Sequence, residues 1–190
     1  MVGQAARGRE DEGEPGKPAP GKPAQGVGHY LRDMIYGALD GVITTLAVVS
    51  GTSGAQLGAR VGVILGIANL AADGLSMGAS NYLGLKSELE QTGTSVAAEQ
   101  PWRHGLATIA AFVVVGAVPL LGYAIANLAV ANALLVALAT AVVTLAVVGG
   151  LRARFVAKPV WKSALEMVAI GATASLLAYG IGALAEWWTR

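Results

Sequence analysis

The 190-residue chain has no cysteine, which removes disulfide scaffolds, thiolate metal sites, iron–sulfur clusters and cysteine nucleophiles together. Charge is scarce too: 13% of residues are Asp, Glu, Lys or Arg, against about 25% in an ordinary soluble domain. So few polar side chains cannot cover a water-facing surface, and a soluble globule is excluded. Thirteen Lys and Arg stand against 12 Asp and Glu, leaving no field to steer nucleic acid and no basic cluster interleaved with aromatics. A nucleic-acid partner is set aside. Phenylalanine and histidine each occur only twice.

What is present is apolar and small. Hydrophobic residues make up 54% of the chain, the mean hydropathy is +0.57, and there are 26 glycines. Small residues let transmembrane helices approach closely where lipid gives them no hydrophobic reason to associate. Residues 1–28 are different in kind, rich in Gly, Pro and charge, with Pro15–Ala19 repeated as Pro20–Ala24. Such a segment cannot bury enough apolar area to offset the entropy of ordering it, and reads as a disordered tail. It has no apolar core of the kind a cleaved signal peptide needs, so the first hydrophobic stretch is expected to stay as a helix.

Residues 29–190 read as an all-α, multi-pass membrane domain, because an open strand edge in lipid would leave backbone groups unpaired. Five spans are expected, at about 31–54, 61–83, 105–126, 131–151 and 163–185, each able to cross about 30 Å of hydrocarbon at 1.5 Å per residue. The third and fourth are separated by a turn near Asn127–Asn132, and Pro119 should kink the third. Trp161, Trp187 and Trp188 are placed as interfacial anchors of the fifth. Eleven Lys and Arg fall on the N-terminal side of the membrane (Arg7, Arg9, Lys17, Lys22, Arg32, Lys86, Arg103, Arg152, Arg154, Lys158, Lys162) and two, Arg60 and Arg190, on the other. That bias puts the N-terminus in the cytoplasm. The membrane is expected to be the plasma membrane of a bacterium, or a vacuole-like membrane otherwise.

A carboxylate in the hydrocarbon region is costly and therefore a functional candidate by default. Asp40 and Asp73 are the charged residues inside the first two spans. Asp40 lies six residues, roughly 9 Å, inside the inner boundary near Met34, and Met77 lies as far from the same boundary near Leu83. A carboxylate and a thioether thus share one level. Asn69, Asp73, Ser76, Met77 and Ser80 recur at steps of three and four on the second helix, as do Asp33, Asp40 and Thr44 on the first. Two such stripes on neighbouring helices describe a hydrophilic path. Oxygen donors with one soft sulfur suit a divalent transition metal over Mg²⁺ or Ca²⁺. Glu166, near the inner start of the last span, either joins that path or pairs with Lys162 or Arg152. Glycines 58, 62, 66, 74 and 78 form a packing ridge on the second helix.

Enzyme chemistry has one foothold. Gly51-Thr52-Ser53-Gly54 looks like the surroundings of an intramembrane serine nucleophile, but the only histidines, His29 and His104, lie at the opposite boundary, about one bilayer core away. The chain has no His-Glu-x-x-His motif and no phosphate loop. No enzyme and no resident cofactor is expected.

The first-span stretch Asp40-Gly41-Val42-Ile43-Thr44-Thr45-Leu46-Ala47-Val48-Val49-Ser50-Gly51 and the second-span stretch Ala68-Asn69-Leu70-Ala71-Ala72-Asp73-Gly74-Leu75-Ser76-Met77-Gly78 resemble the vacuolar iron transporter family. The resemblance runs over about residues 30–188 and extends, more weakly, to Ile170–Gly182. It implies a homodimeric five-helix transporter that moves Fe²⁺, and often Mn²⁺, out of the cytosol in exchange for protons, along a path between subunits. The family's first-helix Asp and second-helix Met are metal ligands, and they match Asp40 and Met77. Better-known members carry a long Glu-rich cytosolic domain between the second and third spans; here that connection is only Lys86–Arg103. Many also place an acidic residue where this chain has Asn81. The rival reading is a non-transporting membrane protein whose ridges serve assembly and whose two Asp only pair helices.

Overall fold

The computed structural model describes residues 27–128, 132–156 and 158–190. The tail expected over residues 1–28 falls almost wholly outside the described residues, as does the centre of the turn expected near Asn127–Asn132. Six helices follow in order: α1 (Val27–Gly54), α2 (Ala59–Thr92), α3 (Val96–Glu99), α4 (Pro101–Leu128), α5 (Ala133–Val156) and α6 (Val160–Thr189). There is no strand among the described residues. The helices make up five segments long and apolar enough to cross a membrane, the one-turn α3 leading into α4 within the third.

Each helix outruns the apolar segment that marks it, α2 most of all. Its 34 residues span about 51 Å, so the end beyond Leu83 projects past the hydrocarbon. Lys86 and Glu90 pair at 3.8 Å along that projection, and Gly93, at φ 67°, closes the helix through N–H bonds from Gly93 and Thr94 to Glu90 and Leu89. Only a residue without a Cβ adopts this left-handed cap freely. The α4 helix continues through Pro119, which is fully buried.

The α1 helix is the hub, touching α2, α4, α5 and α6. It crosses α4 closely: a Cβ on Gly116 would stand 2.7 Å from the Gly41 carbonyl oxygen. A second close crossing joins α4 to α2, where a Cβ on Gly105 would stand 2.7 Å from the Gly78 carbonyl oxygen. Glycine at both places lets α4 sink between α1 and α2. Hydrogen bonds fix the register. Thr45 Oγ1 donates to the Gly116 carbonyl at 2.9 Å, and the Ser50 and Ser175 hydroxyls meet at 2.7 Å between α1 and α6.

The interior is filled by Val42, Val49, Phe112 and Leu145. Large apolar side chains also cover the outside, among them Val114, Leu176 and Ile181. Such a surface is stable only against lipid. Exposed tryptophans bracket it, Trp102 and Trp161 at one end and Trp187 and Trp188 at the other, as interfacial belts do. Arg103 and Lys162 stand over the Trp102 and Trp161 rings at 5.2 and 5.4 Å. The chain is an integral, multi-pass membrane protein.

Candidate metal site

Asp40, Asp73 and Met77 sit on the two helices that α4 holds together. Asp40 and Asp73 are half-buried, and each lies within range of the other's charge. Neither carboxylate accepts a hydrogen bond or meets a cation among the described residues. Thr44, one turn beyond Asp40, returns its hydroxyl to the Asp40 and Gly41 carbonyls at 2.9 and 3.3 Å, so its own oxygen lone pairs remain open to the stripe. Ser76 is exposed and Asn69 half-buried.

The buried edge of α2 is the glycine ridge. Gly62, Gly66, Gly74 and Gly78 are buried, and Cβ atoms at the last three would run into Leu120, Phe112 and Ile109 of α4. With that edge committed to α4, the polar stripe is turned toward α1 and the outside. Tyr36, Ala68, Ala72 and Ser76 are exposed along this groove, which leaves two carboxylates half open on the membrane-facing side of a single chain.

Three hollows follow the groove. The middle one, about 310 Å³, is lined by Met77 with Arg32, Asp33, Tyr36, Asn81 and Thr108. Met77 also packs against the core around Phe112 and Leu70, so it fills space on one side and faces the hollow on the other. A second hollow of about 410 Å³ opens at the end of the bundle where His104 lies, and shares Arg32, Asp33, Ser80 and Asn81 with the first. The third, about 550 Å³, lies toward the other end and is lined by Asn69 with Thr52, Leu65 and Ala72.

The His104 end holds a network that sequence reasoning had not assembled. His104 donates from Nδ1 to Asp33 Oδ2 at 2.6 Å, since a carboxylate can only accept. The Asn81 amide donates to the other Asp33 oxygen at 2.9 Å and to Thr108 Oγ1 at 2.7 Å. His104 Nε2 lies 3.1 Å from His29 Nε2, which lies 3.0 Å from Glu99 Oε1. The signal available in the sequence was that both histidines of the chain fall at one boundary; nothing in it placed Glu99 beside them.

Glu166 is exposed at the same end and bonded to two cations, Arg152 and Lys158, each at 3.0 Å. It faces α5 and its following turn, away from the α1–α2 groove. Ser53 has Tyr123 as its partner, at 3.5 Å, while both histidines are engaged at the opposite end. The constellation a serine nucleophile needs is therefore not formed around Ser53.

A family model described as the VIT family matches residues 31–100 and 90–183. The chain belongs to the VIT family. Among similar proteins, the vacuolar iron transporter of Toxoplasma gondii (strain ATCC 50861 / VEG) is 26% identical over 225 aligned positions, covering 83% of this chain and 74% of that protein. Vacuolar iron transporter 1 of Oryza sativa subsp. japonica is 26% identical, covering 81% of this chain and 84% of its own length. The vacuolar iron transporter of Plasmodium falciparum (isolate 3D7) is 48% identical, but over 52 residues, 27% of this chain. In that protein and in the Plasmodium berghei relative, this VIT-family chain spans only 19% and 22% of the length. An alignment of 225 positions that takes in 83% of 190 residues also means that the Toxoplasma protein has stretches with no counterpart here.

Proposed function

We propose that the chain is a transmembrane exporter of divalent iron, manganese or both, carrying the ion out of the cytosol in exchange for protons and serving metal homeostasis. The observation that carries this reading is the pair Asp40 and Asp73, two carboxylates within each other's field in membrane-spanning helices, with no cation or hydrogen-bond donor beside them among the described residues. Structural carboxylates in lipid are neutralised by a partner in the protein. Carboxylates left open suit a cationic substrate. Fe²⁺ or Mn²⁺ bound at that level takes oxygen from Asp40 and sulfur from Met77, with Asp73, Asn69, Thr44 and Ser76 lining the way.

Proton exchange follows from the same groups. A carboxylate must be deprotonated to ligate a metal, so metal and protons compete for it. A dication offsets the two negative charges on its way out, and protons do the same for the emptied site. Orientation follows from Arg32, Lys86, Arg103, Arg152, Arg154, Lys158 and Lys162 gathered at the His104 end, which makes that end cytosolic by the positive-inside bias. A second copy of the chain, laid against the exposed α1–α2 groove, would remove the half-open carboxylates from lipid and enclose the path. The homodimer is part of the proposal for that reason.

The test is Fe²⁺ and Mn²⁺ flux into proteoliposomes under an imposed pH gradient. Gradient-dependent flux that disappears in Asp40→Asn, with folding intact, is the expected result. Absence of flux of either metal from folded wild-type protein would overturn the proposal and favour an assembly role. Because the chain has no cysteine, a single Cys introduced at Ser76 tests the dimer directly: disulfide cross-linking in the bilayer is expected.

A further inference from the structure

The two histidines of the chain, 75 residues apart in sequence, meet at one point that the Asp40–Met77 path does not require. Three elements contribute to it. His29 comes from the first turns of α1, Glu99 from the end of α3 and His104 from the first turn of α4. Between the last two, Gln100 takes φ 53°, and this left-handed residue reverses the chain so that Glu99 points back at His104. Their facing atoms form a triangle: 3.1 Å between the two Nε2 atoms, 3.0 Å from His29 to Glu99 Oε1 and 3.9 Å from His104 to the same oxygen. The point equidistant from all three lies about 2.0 Å from each, the length of a first-row metal bond to imidazole nitrogen or carboxylate oxygen.

The protonation pattern agrees. Asp33 takes the Nδ1–H of His104, which leaves Nε2 as a lone pair directed into the triangle. A carboxylate behind a ligating imidazole is the usual support of a metal-bound histidine, fixing its tautomer and ring orientation. Asp33 is itself held by Asn81. Among the described residues, His29 Nε2 is the atom that faces both the His104 lone pair and Glu99 Oε1, so a single N–H there would have to serve two acceptors. A cation at the centre replaces that proton and satisfies all three atoms. The hollow beside the triangle leaves room for water ligands and leads on to the one that Met77 lines.

We infer that His29, Glu99 and His104 form a second divalent-metal site, with Asp33 as its positioning residue, separate from Asp40 and Met77. Two imidazoles and one carboxylate with open positions suit Fe²⁺ and its first-row neighbours, and are poor hosts for Mg²⁺ and Ca²⁺. The site stands without transport. Only its role as the point where metal loads from the cytosol rests on the exporter reading.

Untagged full-length protein in detergent micelles, titrated with Co²⁺, tests the inference by proton NMR. The chain has no other histidine, so exchangeable, contact-shifted imidazole N–H resonances can arise only here. Two are expected in wild type and in Asp40→Asn, and they persist in excess Mg²⁺. In His29→Ala one disappears, and in His29→Ala and Glu99→Gln alike Co²⁺ affinity falls roughly 100-fold, at least the loss expected of a supporting group. Glu99→Gln keeps size and shape, so its loss cannot come from a collapsed helix end. No shifted imidazole resonance in folded wild type, or unchanged Co²⁺ affinity in either variant, would overturn the site. Neither result depends on flux, so failure of the site and failure of the exporter reading are separable.

Discussion

The His104 end and the middle of the α1–α2 groove hold their carboxylates in opposite ways. Asp33 is 12% exposed in its side chain and accepts from His104 and Asn81; Asp40 and Asp73 are half open and accept from nothing among the described residues. The first carboxylate is answered on both oxygens by donors of the protein. The other two are unsatisfied where the surroundings are least able to tolerate it. A fold keeps such groups at a cost to stability, so the contrast bears directly on the proposal that Asp33 is held by the bundle while Asp40 and Asp73 serve a ligand.

The largest effect should come from exchanging charge for an amide in the middle. Asp40→Asn is expected to lower metal flux by roughly 100-fold or more, about 2.7 kcal/mol of binding lost with the ligand charge, while leaving thermal stability unchanged or raised, because an unanswered charge has been removed. The same exchange at the His104 end should behave in the opposite sense. Asp33→Asn leaves His104 Nδ1–H and the Asn81 amide competing for one carbonyl oxygen, and a loss of about 1–3 kcal/mol is expected. Thermal unfolding in micelles beside flux in vesicles decides it. If Asp33→Asn were silent in unfolding, or Asp40→Asn strongly destabilising, the contrast between the two regions would break.

Met77 tests whether the middle of the groove acts through chemistry or shape. It touches the Phe112 core and also faces the hollow, so Met77→Ala would confuse two effects. Met77→Leu keeps the volume and removes the sulfur, and such near-isosteric exchanges cost less than about 1.5 kcal/mol in stability. Flux is expected to fall about tenfold, the equivalent of 1.4 kcal/mol, with the larger loss for the softer Fe²⁺. Full flux in Met77→Leu would reduce Met77 to packing.

How much of this was legible in sequence differs between the same two regions. Five spans and an all-α fold followed from composition, because lipid permits little else. The Asp40, Asp73 and Met77 stripe followed from steps of three and four along single helices. Its open side did not, because that depends on the glycine ridge of α2 being spent on α4, a fact of packing. The His104 cluster was out of reach for another reason: its members come from three elements, and the residue that aims Glu99 is Gln100, whose left-handed backbone has no signature in that residue type. Leu83 was a boundary of hydropathy and not of the helix, which runs on to Thr92 because Lys86 and Glu90 support it in water. For Glu166 the expected Arg152 partner is present, but the second cation is Lys158, while Lys162, the neighbour one turn away, lies over Trp161 instead.

Smaller effects sharpen the comparison from the structural side. Ser50→Ala removes the 2.7 Å bond to Ser175 between α1 and α6. Hydrogen bonds between membrane helices average about 0.6 kcal/mol, so a shift of that order in unfolding is expected, with flux unaffected. A flux defect there would mean that the α1–α6 contact moves during transport.

Glu166 gives the least and closes the comparison. It is a carboxylate answered by two cations, as Asp33 is answered by its donors, but it is exposed at the end of the bundle. Water and salt screen such pairs, so little stability rests on them. Glu166→Gln should therefore leave the unfolding transition nearly unmoved and flux at the wild-type level. The exchange that removes metal transport at Asp40 would then do nothing at Glu166, because pairing alone does not make a carboxylate structural; burial of the paired groups does. A flux loss in Glu166→Gln comparable with Asp40→Asn would place Glu166 on the metal's route and require the α5–α6 side of the bundle to open to it.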